Sequence, residues 1–329
     1  PFIGSQEDAK EQLRCRLIDA VKKRMVADVE VGVFLSGGID SSLVSSIAVE
    51  STGRDRLKAF SIGFADTAYD ESQFFRQMAQ LLGVKLHERV IETLDPLLLK
   101  KLITLHLAQP FHDSSILPTW LVSNLAGEHV KVVLTGDGAD ELFCGYERYR
   151  AQALFALYRK IPKEMRLFVR RWVRRFDEPL AHHSRSLLKK MRLFVEADER
   201  YEEELPYRGS RYFSRQQMQL LLGAEEPSAE LPLNYHLSYG ETIDNIKQMM
   251  LSDIGFYMPQ DILVKVDRAS MANSLEARSP FLDSAVAELA VSLPTQWLLS
   301  FHGNKKFLRN TFRSRLPDSL WFRRKQGFA

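Results

Sequence analysis

Val31-Gly32-Val33-Phe34-Leu35-Ser36-Gly37-Gly38-Ile39-Asp40-Ser41-Ser42 is the stretch that decides how this chain folds. Val31 to Leu35 is a short apolar run closed by a glycine-rich turn, so it reads as a buried strand. A helical pattern follows over 39–50. An open parallel sheet binds its ligands at such a junction, outside the carboxyl ends of its strands. Gly37 and Gly38 permit a tight turn and the close approach of an anion. The free N–H groups at the helix start, and the helix dipole, favour that anion. Ser36, Ser41 and Ser42 add hydroxyl donors. Asp40 would repel a phosphate unless a cation lies between them, so it implies Mg²⁺. A plainer reading makes the segment a turn with Ser and Asp as caps, but serines on both sides of the glycines favour the anion loop.

Working outward, Leu57–Phe64, Lys85–Ile91 and Val130–Thr135 read as further strands. Helical patterns fill 5–27, 70–82, 95–107 and 115–127, and Ser5 with Asp8 makes a capping box for the first of them. Leu13, Leu17, Ile18, Val21 and Met25 form its apolar stripe. Strands alternating with helices predict an α/β fold built on a parallel sheet. Past Tyr146 the strand signals stop, and 147–300 reads as mainly helical, with loops at Pro162, Pro179, Pro206 and Pro232. The expected division is an α/β part over 1–150 and a mainly helical part over 151–329.

Composition excludes more than it selects. The chain has 329 residues, 45% apolar and 26% charged, with a net charge of +3. These are ordinary values for a globular protein. Cys15 and Cys144 are too few for a disulfide framework and suit a reducing, cytoplasmic setting. No apolar run reaches membrane-spanning length. Arg159–Arg192 is rich in basic residues, including Arg174, Arg185, Lys189, Lys190 and Arg192. Leu167, Phe168 and Trp172 are interleaved at helical spacing, so the expectation is a solvated helical surface over a core, with no nucleic-acid partner.

Two more motifs follow strands or break helical regularity. Thr135-Gly136-Asp137-Gly138-Ala139-Asp140-Glu141-Leu142-Phe143-Cys144-Gly145-Tyr146 brings a second carboxylate set to a strand end, so that Asp140 can share a metal with Asp40. Its plainer reading is a turn with aspartate caps. In Asp261–Asp283 the charges are irregularly spaced, and Asp267, Arg268, Glu276 and Arg278 are expected to form a buried ion network.

The Ser36–Ser42 loop lacks the Walker A spacing and resembles the Ser-Gly-Gly-x-Asp-Ser loop of ATP pyrophosphatases. With the other two motifs the chain resembles the synthetase domain of glutamine-dependent asparagine synthetases. The resemblance extends to Ala59–Phe64, Tyr69–Ser72, Gln109–Ser115 and Lys305–Arg309, and spans nearly the whole chain. It implies an ATP pyrophosphatase-like fold and a ligase that activates the aspartate side chain as acyl-AMP, releases pyrophosphate and transfers the acyl group to ammonia. Ser36, Gly37, Gly38, Asp40, Ser41 and Ser42 would then hold pyrophosphate and Mg²⁺. Phe34 and Ile62 would frame adenine, and Gly136 would lie near the ribose. Asp40 and Asp140 would be the metal carboxylates. Lys305 would stabilise charge at the α-phosphate, with Lys306 as the neighbouring alternative, and Asp137 would act near the acyl centre.

The chain departs from the family pattern at three places. Asp137 stands where Glu is common, Cys144 where Gly is usual, and Ser114 where some members carry Arg. His112, beside Asp113, reads as a hydrogen-bonded structural residue. A glutaminase domain beginning with a nucleophilic Cys is not in this sequence. Turnover is therefore expected from ammonia rather than glutamine, with small-molecule substrates, no membrane, and a homodimer as an option. The alternatives are a relative amidating another carboxylate, such as a sugar or peptide precursor of the cell surface, and a tRNA-modifying enzyme with the same loop.

Overall fold

The computed structural model describes residues 1–54, 56–66, 70–93, 95–107, 111–173, 175–176, 188, 191, 194–195, 215–223, 243–300 and 305–321. Tyr69, Gln109, Pro110, Arg174, Pro179, Arg185, Lys189, Lys190, Arg192, Pro206, Pro232 and the tail 324–329 lie outside the described residues. The chain divides into two compact units, residues 1–145 with 254–329, and residues 146–253.

In the first unit, α1 (Gln6–Met25) opens on the expected capping box. The Asp8 N–H donates to Ser5 Oγ at 3.1 Å and the Ser5 N–H donates back to Asp8 Oδ2 at 2.9 Å. Leu13, Leu17 and Val21 are its buried stripe. The chain then alternates: β1 (Val31–Phe34), α2 (Ile39–Thr52), β2 (Lys58–Phe64), α3 (Ser72–Leu82), β3 (Lys85–Ile91), α4 (Pro96–Leu105), α5 (Ile116–Gly127), β4 (Val132–Leu134) and the short α6 (Ala139–Leu142). The sheet is parallel in the order β3-β2-β1-β4-β5, with Phe34 opposite Phe60 and Val33 opposite Leu134. Central strands of such a sheet are covered on both faces, which is why β1 and β4 read as continuous apolar runs.

β5 (Glu276–Arg278) is a strand that the sequence pattern does not offer, and it pairs with β4, placing Leu134 opposite Arg278. It is an edge strand of three residues, and only Ala277 packs toward the core. The expected buried network around it is not formed. Asp267 and Arg268 are exposed. Glu276 pairs with Arg278 at 2.7 Å with its side chain 56% exposed, and Arg278 also donates to the carbonyls of Arg24 and Val26 at the end of α1.

One face of the sheet carries α5. Leu125, Ala126 and Val130 pack with Phe60, Val133 and Leu275, and with Phe34 and Ala277. A helix between parallel strands runs against them, so its N-terminus lies at the sheet's C-terminal edge. That places the starts of α2, α5 and the helix Leu263–Met271 at one edge of the sheet.

The second unit holds α7 (Glu147–Tyr158), α8 (Lys163–Val173) and the helices Arg215–Leu222 and Asn245–Ser252. Buried Tyr149 donates to Asp253 at 2.5 Å, and Arg148 pairs with the same carboxylate at 2.8 Å. The apolar face of α8 differs from expectation: Phe168 is 71% exposed and Trp172 48%. Helical spacing groups these residues on a face but says nothing of what covers it. Among the described residues no helix is long and apolar enough to cross a membrane.

Candidate active site

The loop after β1 folds on its own serines. The Ser36 N–H donates to Ser41 Oγ at 3.2 Å, the Gly38 N–H donates to Ser36 Oγ at 3.3 Å, and the two hydroxyls lie 3.0 Å apart. Gly37 has a φ of +72°, and a Cβ there would fall 2.7 Å from the Phe75 nitrogen, so the loop turns tightly against the start of α3. Gly38 caps α2, and Asp40 stands in its first turn. Ser41 is buried, and Ser42 is fully buried with an Oγ that lacks a hydrogen-bond partner among the described residues.

The second loop lies directly on the first. A Cβ on Gly136 would fall 2.8 Å from the Ser41 nitrogen and 2.9 Å from Asp40 Cβ. Ser279 Oγ donates to the Asp137 carbonyl at 2.5 Å, which ties this loop to the turn after β5. Cys144 is fully buried with a φ of +52°, a left-handed position that favours glycine.

A third, distant segment completes the cluster. Lys305 is 4% exposed, and its Nζ pairs with Asp40 Oδ2 and with Asp140 Oδ1, the latter at 2.9 Å. Its own φ is +54°, a strained backbone of the kind that gathers at functional sites. Burial opposes the charge most strongly, but Asp140 and then Asp40 outweigh it and hold the ammonium well above the usual lysine range. Gly145 is indispensable to this packing. A Cβ there would stand 1.8 Å from Asp140 Oδ1 and 2.3 Å from Lys305 Cε. Lys306 turns elsewhere and donates to the Gln296 carbonyl at 3.3 Å.

The structure therefore brings Ser36, Gly38, Asp40, Ser41, Gly136, Asp140 and Lys305 together. Phe34 ends β1 and Ile62 lies buried within β2. Mg²⁺ takes one or two carboxylates and completes its shell with phosphate and water oxygens. A single ammonium within bonding distance of Asp40 and Asp140 indicates that one cation can bridge both, so the donor set fits Mg²⁺ held together with a nucleotide. Among the described residues no group of three or more His, Cys, Asp or Glu side chains gathers to hold a metal.

A second polar cluster escaped sequence reasoning. Lys265 Nζ donates to Asp113 Oδ2 at 2.7 Å and to Ser115 Oγ at 2.8 Å. Asp113 Oδ1 accepts from the Ser115 N–H at 2.8 Å and from its hydroxyl at 2.6 Å. Burial alone would raise the Asp113 carboxyl, but Lys265 and Ser115 hold it below the usual range. His112 and Asp261 belong to the same electrostatic neighbourhood. The partners lie about 150 positions apart, so no local pattern could have joined them.

A protein-family model described as asparagine synthase matches residues 12–329. The chain is 33% identical, over its whole length and 49% of the relative, to a putative asparagine synthetase (glutamine-hydrolyzing) of Mycobacterium tuberculosis. It is 32% identical to asparagine synthetase (glutamine-hydrolyzing) 1 of Bacillus subtilis, over all of this chain and 50% of that one. It is also 27% identical to a protein named amidase chyE from Penicillium rubens, over 94% of this chain and 49% of the relative. The chain spans about half the length of these curated relatives.

Proposed function

The chain belongs to the asparagine synthase family, and on that premise we propose that it forms an amide from a carboxylate, ATP and ammonia, with the side chain of aspartate as the acyl donor. In the first step a carboxylate oxygen attacks the α-phosphorus. The bond to the β-phosphate bridging oxygen breaks, giving acyl-AMP and pyrophosphate. In the second, the ammonia nitrogen attacks the acyl carbon, loses a proton and expels AMP.

The loop residues Ser36, Gly37, Gly38, Ser41 and Ser42 cradle the leaving pyrophosphate with hydroxyls and helix-start N–H groups. Asp40 and Asp140 would hold Mg²⁺, which would supply charge neutralisation for the phosphates. Lys305 moves its positive charge from the carboxylates toward the α-phosphate as negative charge builds there. Phe34 and Ile62 frame the adenine, and Gly136 leaves room beside the ribose. Asp137 accepts the proton that the incoming ammonia gives up.

The observation that carries this reading is the Lys305 ammonium shared by Asp40 and Asp140 against the serine–glycine loop. It supplies, in one buried place, the charges that bringing two anions together requires. AMP and pyrophosphate release from Mg-ATP, with and without aspartate and ammonium, tests it. Aspartate-dependent AMP with asparagine formed only when ammonium is present is the expected result. ATP bound but unresponsive to aspartate would remove aspartate as the donor. A second reading, amidation of another carboxylate, draws support from the similarity to a protein named an amidase and from Ser114 at the family's Arg position.

A further inference from the structure

We propose that α8 is a docking helix for an anionic lipid surface, lying flat on the bilayer without spanning it. This surface belongs to the second unit alone and does not depend on the amide-forming reading above.

Charge is unevenly placed along this chain. Between Tyr146 and Phe176 ten Lys and Arg stand against two Glu, although the whole chain carries only +3. A basic segment in an otherwise balanced protein marks a surface for an anionic partner. Asp40, Asp140 and Lys305 all lie in the first unit, so the chemistry there does not account for it.

α8 is also packed inside out. Met165, Phe168, Val169 and Trp172 fall on one stripe at helical spacing. Phe176, just beyond the helix, continues the stripe, its ring edge-on to Trp172 at 4.9 Å. All five are exposed, Met165 by 60%. The residues turned inward are Val173, fully buried, and Arg166, Leu167 and Arg170, partly buried. Arg166 donates to the Ile161 carbonyl at 3.1 Å and stands over the Tyr158 ring. A helix that only covers a core points its apolar stripe the other way. Exposed apolar side chains gathered in one patch mark a surface that binds something.

Charge complementarity selects the occupant. Arg171 and Arg175 are exposed along one flank of the stripe, and Lys160 and Lys163 are exposed at its N-terminal end. An apolar face carrying Trp and Phe beside basic residues suits the headgroup boundary of an anionic bilayer. The rings enter among the acyl chains while the cations meet the phosphates. Two other occupants fit less well. In a two-fold pairing of this face the same cations would confront each other. A nucleic acid would use the charges and the rings, but Ile161, Met165 and Val169 offer it neither charge nor stacking. The helix has eleven residues, about 16 Å, so it is a small anchor whose hold should be reversible and sensitive to salt.

The test is flotation of the protein with vesicles of phosphatidylcholine alone, or with about 30% phosphatidylglycerol added. Binding to the anionic vesicles should exceed binding to the neutral ones by about tenfold or more, and should fall as salt rises from about 0.05 to 0.5 M. Phe168→Ser with Trp172→Ser, and separately Arg171→Glu with Arg175→Glu, should each weaken it by about tenfold or more. These side chains are exposed, so Tm of both variants should stay within about 2 °C of wild type. Equal binding to the two vesicles, or none, overturns the proposal. Anionic binding that survives both variants overturns it too, because another surface then holds the lipid. A wild-type dimer that Phe168→Ser with Trp172→Ser converts to a monomer, without vesicle binding, assigns the stripe to a second copy. Salt-sensitive retention of an RNA oligonucleotide without vesicle binding assigns the charges to nucleic acid. Either of these results overturns the lipid surface.

Discussion

Two clusters in the first unit are built from the same parts, one lysine and two aspartates, and they use them differently. Lys305 bonds both of its carboxylates, Asp40 and Asp140. Lys265 bonds Asp113 and Ser115, and among the described residues Asp261 Oδ1 has no hydrogen-bond partner. In the first cluster the burial penalty falls on the lysine and is overcome by two partners. In the second it falls on one aspartate and is not overcome. A shared cation ties two carboxylates from different loops to one buried ammonium. An unshared one leaves a carboxylate waiting for a donor.

The largest effects should come from breaking the shared cation. Lys305→Met should cut AMP formation by about 10²–10³-fold, the usual loss of a transition-state charge partner. It should also cost about 1.5–3 kcal/mol of stability, because the half-buried Asp40 and Asp140 are left together without a cation. Mg²⁺ alone should then raise Tm of the variant more than that of the wild type, since the ion takes the place of the ammonium. An equal Mg²⁺ response in the two proteins would show that no ion takes the ammonium's place between Asp40 and Asp140. Gly145→Ala should come next. Its methyl group has to displace Asp140 and Lys305, at about 1–3 kcal/mol of overpacking and with loss of AMP release.

Breaking the satisfied half of the second cluster is a milder change. Lys265→Met leaves Asp113 and Asp261 without their ammonium, and the expected loss is about 1.5–3 kcal/mol, that of a charged hydrogen bond. Because the folded Asp113 carboxyl lies below its ordinary 3.8, its stabilisation is present above that value and fades as pH falls through the folded one. The variant should therefore lose most relative to wild type near neutrality, and the gap should close in acid, as read by Tm against pH.

How much of this was legible in the sequence follows from where each signal resides. The order of β1 to β4 and the helices between them came from apolar runs of strand length and from helical periodicity, which are local. Ser5 and Asp8, three residues apart, announced their capping box for the same reason. β5 was illegible, because Glu276-Ala277-Arg278 has one core-facing residue and no alternation to read. Asp267 and Arg268 carried charge spacing that looked like a network and proved to be the outer face of a helix. Lys305 was placed by resemblance alone, since nothing around it distinguishes a buried lysine from a solvated one. Lys265 and Asp261 could not be tied to Asp113 at all. Their meeting is a property of α5 packing against the helix Leu263–Met271, which exists only once both have folded.

The smallest predicted effect is the one that best separates a waiting carboxylate from a merely structural one. Asp261→Asn keeps the shape of the side chain and removes its charge. The folded Asp261 carboxyl lies above the ordinary 3.8, so the wild-type protein is favoured below that value and loses stability as pH rises through the raised folded one. The variant escapes this loss. Its Tm should match wild type in acid and exceed it near neutral pH, by a margin on the order of 1 kcal/mol, a share of the cost of leaving a buried polar group unsatisfied. A structural aspartate would give the opposite sign, because removing it would cost stability at the pH where it is ionised. A variant that is more stable near neutrality marks a carboxylate kept at a cost in stability. If Asp261→Asn instead melts earlier at neutral pH, Asp261 is a structural carboxylate and the two clusters do the same work.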